Sequence, residues 1–132
     1  MDEMYIEKLR RMEDEANQIN AFLADDHKSD PDSISQRLSL ISGFNARTGE
    51  MLAEAEYILS IWKGEVLEQL LLEDPKMPAN TQKTLVEAKC AYGIKVCRLL
   101  ERTNRSTVHS GEVGITQLSY AKEEMSLSRK GY

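Results

Sequence analysis

The chain has 132 residues, of which 41% are hydrophobic and 30% charged, a composition that suits a single domain over residues 1–132. Its 17 basic and 22 acidic side chains give a net charge of −5, which argues against indiscriminate nucleic-acid binding but permits a local basic surface. Three prolines, 6% aromatic residues and no β-branched run predict an all-α protein. No apolar run approaches the roughly 20 residues that span a bilayer, so we expect a cytoplasmic protein with no membrane partner.

The first predicted helix runs from about residue 2 to residue 24. Its apolar side chains recur with a spacing of 4-3-4-3-4, which is typical of a stripe that packs against other helices. They are Tyr5, Leu9, Met12, Ala16, Ile19 and Leu23. Residues 1–33 carry 4 basic and 10 acidic side chains (net −6), and residues 79–132 carry 9 and 5 (net +4). The two ends can therefore attract each other, within one chain or between copies.

The second predicted helix runs from about residue 31 to residue 73. Asp30 followed by Pro31 is a helix start signal, because a capping side chain precedes a proline at the first helical position. The helix carries two apolar stripes, which predicts contacts on two sides, one of them to a second copy in a homo-oligomer. The candidate interface residues are Trp62 as the anchor, with Leu52, Leu59 and Tyr92.

A third helix is predicted from about residue 80 to residue 126, after a stop at Asp74-Pro75. The apolar pattern fails between residues 101 and 111, so the helix either continues through a polar middle or breaks near Ser110-Gly111. A short, proline-containing link makes helices 2 and 3 antiparallel neighbours. The predicted architecture is thus an elongated antiparallel hairpin of two long helices with a shorter N-terminal helix, assembled into an oligomeric helical bundle.

Two local features of these helices carry further predictions. Residues 46–50 interrupt the apolar pattern of helix 2 near its middle, where they can face the polar middle of helix 3. A buried polar layer that specifies pairing is one interpretation, and a ligand site is the other. Cys90 and Cys97 lie about 10 Å apart along a helix, too far for a disulfide, so we expect two reduced core thiols.

The most specific chemical feature is a row of basic side chains in helix 3. Their spacing of 3, 4, 3 and 4 places all of them on one helical face. They are Lys95, Arg98, Arg102, Arg105 and His109, called the basic row below. Guanidinium groups bind phosphate bidentately, so the row predicts an anion or nucleic-acid site. Alternatively, the arginines pair with carboxylates of helix 1, or with Glu50, Glu54 and Glu56 of helix 2, and fix the helix register.

No residue pattern predicts catalysis, a metal site or a cofactor. His109 and Glu112 share a helical face, but two ligands do not saturate a metal ion. Ser106 and Ser110 lie beside His109 without the third partner or the oxyanion site that nucleophilic catalysis needs. We therefore expect a protein that is not an enzyme.

Several motifs occur in a fixed order between residues 34 and 126. They are Ala46-Arg47-Thr48-Gly49-Glu50, Ala53-Glu54-Ala55-Glu56-Tyr57, Lys63-Gly64, Glu101-Arg102-Thr103-Asn104-Arg105, His109 and Tyr120-Ala121-Lys122-Glu123-Glu124-Met125. In these motifs the chain resembles small helical accessory proteins encoded beside replication and recombination genes in bacteriophages and mobile elements. The architecture is also similar to that of phage recombination mediators, which are small, oligomeric proteins that load a recombinase onto single-stranded DNA.

The resemblance implies a non-enzymatic, oligomeric accessory protein that contacts DNA through the basic row. The alternative is a protein-interaction factor, such as an inhibitor of a host defence complex or an assembly adaptor, whose partner is a host or phage protein and which touches no nucleic acid. A structural virion component is a third interpretation.

Overall fold

The computed structural model describes residues 2–129, which form four α-helices and no strand. They are α1 (Asp2–Ala24), α2 (Pro31–Glu73), α3 (Ala79–Lys89) and α4 (Ala91–Arg129). The predicted all-α fold is confirmed. The start signal of α2 acts as expected, because the Asp30 side chain accepts a hydrogen bond from the Ser33 backbone N at 3.0 Å.

The two long helices α2 and α4 lie antiparallel along most of their length. Successive contacts join Leu59 to Gly93, Thr48 to Asn104 and Ile41 to Gly111. The residue numbers of α2 decrease along these contacts while those of α4 increase, as they do for antiparallel helices. This pairing is the predicted hairpin of two long helices. It is the frame on which every other element lies.

Helix α1 lies against both long helices, on one side of the hairpin. It runs antiparallel to α2, where the Tyr5 hydroxyl donates to Glu65 Oε1 at 2.7 Å. It runs parallel to α4, where Asn20 Nδ2 donates to Thr103 Oγ1 at 2.9 Å. The predicted heptad stripe forms the contact, since the following α1 residues are buried: Tyr5, Leu9, Met12, Ala16 and Ile19.

The helix break of the C-terminal half lies at Cys90 rather than near Ser110-Gly111. The prediction of one helix from about residue 80 is corrected: Cys90, with φ −100° and ψ 16°, separates α3 from α4. The helix continues unbroken through Gly111, where α4 is in van der Waals contact with α2: a Cβ at this position would lie 3.8 Å from Ile41 Cγ2. Cys90 and Cys97 are buried free thiols, and burial raises the pKa of both.

A buried polar layer joins the middles of α2 and α4, as residues 46–50 predicted. Asn104 Nδ2 donates to Thr48 Oγ1 at 2.9 Å and to the Asn45 carbonyl at 3.1 Å. Asn45 Nδ2 in turn donates to Thr107 Oγ1 at 3.0 Å. Thr48 and Thr107 are almost inaccessible to water, at 0% and 1% exposure. Each polar group of the layer thus has a partner, which removes the penalty for burying it.

Two glycines let the backbone of α4 approach α2 closely on either side of this layer. A Cβ at Gly93 would lie 2.8 Å from Leu59 Cδ1 and 3.4 Å from two ring carbons of Trp62. A Cβ at Gly114 would lie 2.5 Å from Leu38 Cδ2. Both distances are shorter than a carbon–carbon contact allows, so close packing requires a residue without a side chain at these positions.

None of the helices within residues 2–129 combines the length and the apolarity that a membrane span demands.

Candidate functional site

The basic row lies on the exposed face of α4. The buried residues of this stretch, including Leu100, Thr103 and Thr107, fix the opposite face of the helix against its neighbours. Because the row occupies the intervening positions, its residues Lys95, Arg98, Arg102, Arg105 and His109 are all exposed. The helix period therefore brings the predicted residues together, as their spacing indicated.

The three arginines of the row make no ion pair within residues 2–129. The only cation of the row with a carboxylate partner in that part of the chain is Lys95, whose Nζ lies 3.4 Å from Glu13 Oε2. Glu50, a proposed partner, instead has its Oε2 atom 3.4 Å from Arg47 NH1, and the exposed Glu54 and Glu56 make no ion pair with any described residue. Among residues 2–129, the arginines of the row therefore do not pair with carboxylates of helix 1 or helix 2, contrary to that alternative.

The surface around the row is an open groove rather than a closed pocket. Its volume is about 670 Å³, and it is lined by Glu87, Ala91, Ile94, Lys95, Arg98, Glu101, Arg102 and Arg105. A second groove of about 570 Å³ continues from Arg98 toward α2, where Glu56 and Lys63 line it. Glu87 and Glu101 lower the positive potential without cancelling it. Such a surface suits an extended anion that stays partly in water.

The C-terminal end of the row borders the end of α1. Arg105 and His109 line a depression of about 500 Å³ together with Asn20, Leu23 and Ser110. Short polar side chains at this end can donate or accept hydrogen bonds beside a bound phosphate.

The four predicted interface residues differ in how far they are buried. The prediction that Trp62 anchors a contact with a second copy is wrong. Trp62 is 2% exposed and lies 6.0 Å from the Tyr5 ring, so it anchors α1, α2 and α4 of one chain and has no surface left for another. Leu52 and Leu59 are half-buried. Tyr92 is also half-buried, and its hydroxyl donates to Glu13 Oε1 at 3.2 Å. Burial, with the nearby Glu13 carboxylate, raises the pKa of Tyr92.

The exposed face that carries the row extends farther along α4 than predicted. Beyond His109, the exposed residues Val113, Thr116 and Tyr120 follow at intervals of 4, 3 and 4, on the same face. The signal was present in the sequence, because helix spacing alone places these residues in line with the row. It was missed because their side chains are no longer basic.

Comparison with known proteins gives no match: no family model fits the sequence, and no curated protein or solved structure is similar to it.

Proposed function

We propose that the protein is a non-enzymatic accessory factor that binds DNA phosphates through the basic row of α4. The single observation that carries the proposal is that Arg98, Arg102 and Arg105 are exposed and lack an ion pair within residues 2–129. Guanidinium groups in this state keep their donors available for phosphate oxygens. The resemblance of residues 34–126 to phage and mobile-element proteins supports a place in DNA replication or recombination.

The length of the row supports a polymer as the ligand. Residues 95 and 109 are about 21 Å apart along the helix, which exceeds the size of one phosphate and matches several phosphates of one strand. An exposed helix can also enter the major groove of a duplex. The row lacks interleaved aromatic side chains, which single-strand binders use to stack on bases. We therefore propose duplex DNA, bound through its backbone and with little sequence preference.

A salt titration tests the proposal. Three neutralised phosphates give a slope of log K against log salt of about −2.7. Fluorescence anisotropy with a labelled duplex, and with the matching single strand, measures that slope. The triple variant Arg98→Gln/Arg102→Gln/Arg105→Gln should lose most of the affinity and most of the slope.

A matched control separates the row from net charge. The variant Arg10→Gln/Arg11→Gln/Lys83→Gln removes the same charge from exposed positions of α1 and α3. It should bind like the unmodified protein. Absence of duplex binding at low salt, or an equal loss in the control variant, contradicts the proposal.

A protein-interaction factor is a second candidate, and exposed apolar residues in the middle of α4 favour it. Val108 and Ile115 are 48% and 61% exposed and lie seven residues apart, on a different side of α4 from the basic row. Clustered apolar surface is typical of protein-binding sites. If this candidate is correct, Ile115→Glu abolishes co-purification of one defined partner, and the triple arginine variant retains it. The reverse pattern contradicts it.

A further inference from the structure

One face of α4 is exposed without interruption from Arg98 to Leu127. Its members follow the spacing 4-3-4-4-3-4-3-4, which keeps them in line on a helix. They are Arg98, Arg102, Arg105, His109, Val113, Thr116, Tyr120, Glu123 and Leu127, all of them exposed. The opposite face of α4, which packs on the other helices, holds the buried residues Thr103, Thr107, Gly114 and Ala121. The exposed face is called the outer face of α4 below.

The charges of the outer face change sign along the helix. Its N-terminal part carries three arginines, and its middle carries Val113 and Tyr120 with exposures of 41% and 64%. Its C-terminal part carries Glu123, which Lys122 and Glu124 flank in the sequence. None of these arginines and glutamates makes an ion pair within residues 2–129. A helix face that is basic at one end and acidic at the other is complementary to itself when two copies run antiparallel.

We propose that the outer face of α4 binds the same face of a second copy, antiparallel about a two-fold axis near Gly114. The spacing of the face is nearly the same in both directions from that point. In this register Arg105 faces the partner's Glu123, His109 faces the partner's Tyr120, and Val113 faces the partner's Thr116. Each contact occurs twice, as a two-fold interface requires. The overlap of residues 102–127 is about 39 Å long.

The surrounding helices favour a second copy as the occupant. α1 contacts α4 near Tyr92 and Thr103 and ends at Ala24. Within residues 2–129, α2 is therefore the only helix beside the C-terminal part of α4, which the α1–α2 linker also borders where His27 Nε2 lies 3.2 Å from Gln117 Oε1. Two copies joined through the outer face place α4 against the partner's α4, and each α2 stays on the opposite, buried side of its own α4. The apolar Val113 and Tyr120 then lie at the centre of the contact. The Arg105–Glu123 pairs flank this centre on both sides, where they fix orientation more than affinity.

The dimer does not depend on DNA binding, although both use Arg102 and Arg105. DNA phosphates and the partner's glutamates are alternative ligands for the same guanidinium groups. The test therefore uses the purified chain without nucleic acid. A chain that is monomeric under these conditions and still binds DNA would overturn the dimer and leave the proposed function intact.

Charge exchange across the interface tests the proposal by sedimentation equilibrium at low salt. The unmodified chain should have twice its 15.0 kDa mass. The variants Arg102→Glu/Arg105→Glu and Glu123→Lys/Glu124→Lys should each be monomeric, because each makes its own outer face repel itself. An equal mixture of the two should form a 1:1 heterodimer, and the fourfold exchange in one chain should restore the homodimer.

Two further variants test the apolar centre of the interface and control for a charge change elsewhere. Tyr120→Ala should raise the dimer dissociation constant at least tenfold, because it removes the central apolar contact. Glu54→Lys, an exposed change on α2, should leave the mass unchanged. Helical circular dichroism checks that each variant is folded. A mass other than twice the chain, dimers formed by either reversed variant alone, or a mixture that stays monomeric overturns the proposal.

Discussion

The guanidinium of Arg37, a residue of α2, caps the C-terminus of α1 at Phe22. Its NH1 donates to the Phe22 carbonyl oxygen at 3.3 Å, and its guanidinium carbon lies 4.9 Å from the centroid of the Phe22 ring. Its NH2 also donates to the Leu23 carbonyl at 3.0 Å. The last turn of α1 has no basic residue, so α2 supplies the positive charge that the helix end favours.

Replacing Arg37 with Ala should therefore lower the free energy of unfolding by about 2 kcal/mol, since it removes charged hydrogen bonds and a cation–π contact. Urea unfolding followed by circular dichroism measures the change. Arg11→Ala is the matched control, because the Arg11–Glu7 pair is highly exposed and contributes only about 0.5 kcal/mol. Equal losses in the two variants would show that Arg37 does not hold α1.

The glycines of the chain should respond in opposite ways to the same substitution. Gly64 lies in α2 with nothing within 4 Å of its would-be Cβ, so Gly64→Ala should stabilise the protein by about 1 kcal/mol through helix propensity. Gly93→Ala should instead lower stability by about 1 kcal/mol, because overpacking against Leu59 and Trp62 costs about 2 kcal/mol and exceeds the propensity gain. Thermal unfolding compares the two. A stabilised Gly93→Ala protein would contradict the close approach of α4 to α2.

Thr48 and Asn104 should be energetically coupled. Thr48→Val removes an acceptor of Asn104 Nδ2 in a place that water does not reach, and Asn104→Ala removes the donor. We expect a coupling energy of about 1 kcal/mol from a double-mutant cycle of unfolding free energies. A cycle between Thr48→Val and Thr84→Ala, an exposed residue of α3, should be additive. Additivity in both cycles would rule out the polar layer as a stabilising unit.

The Glu15–Arg47 ion pair should contribute to stability in a pH-dependent way. Arg47 Nε donates to Glu15 Oε1 at 2.8 Å, and this hydrogen bond lowers the pKa of Glu15 below its ordinary value of 4.5. A carboxyl with a lowered pKa stabilises the folded state above its unfolded pKa, and the contribution is lost as the pH falls through the folded pKa.

Glu15→Gln should therefore cost about 0.5 kcal/mol at pH 7, a small value because both side chains are partly exposed to solvent. The difference from the unmodified protein should shrink as the pH falls below 4.5, because protonation of Glu15 removes its charge from the pair. Glu7→Gln, in a more exposed pair, serves as the comparison. A difference that is unchanged at pH 3 would exclude the ionised Glu15 as its source.

Helix periods and start signals were sufficient to predict the hairpin, because they depend on local spacing. The stripe from Tyr5 to Ile19 and the Asp30 cap needed no knowledge of other elements. The break at Cys90 was not predictable in this way. No proline or glycine lies between residues 84 and 92, so the sequence carries no local signal for this break.

The candidate site was predicted in its position but not in its electrostatic state. Spacing placed Arg98, Arg102 and Arg105 on one face, yet spacing does not reveal whether a carboxylate of another helix lies opposite. Spacing also could not reveal which element lies against Trp62. Its apolar stripe indicated a contact, but only the position of α1 shows that the contact is within the chain.

The positions of Gly93, Asn104 and Gly114 determine how the long hairpin can move. Translating α4 along α2 by one helical turn would drive side chains into Leu59 and Leu38 and separate Asn104 from Thr48 at the same time. These contacts thus fix the register of α4 on α2 and oppose a piston movement of one helix along the other. Beyond the segment that they hold, Val86 and Cys90 attach α3 separately to the same hydrophobic core.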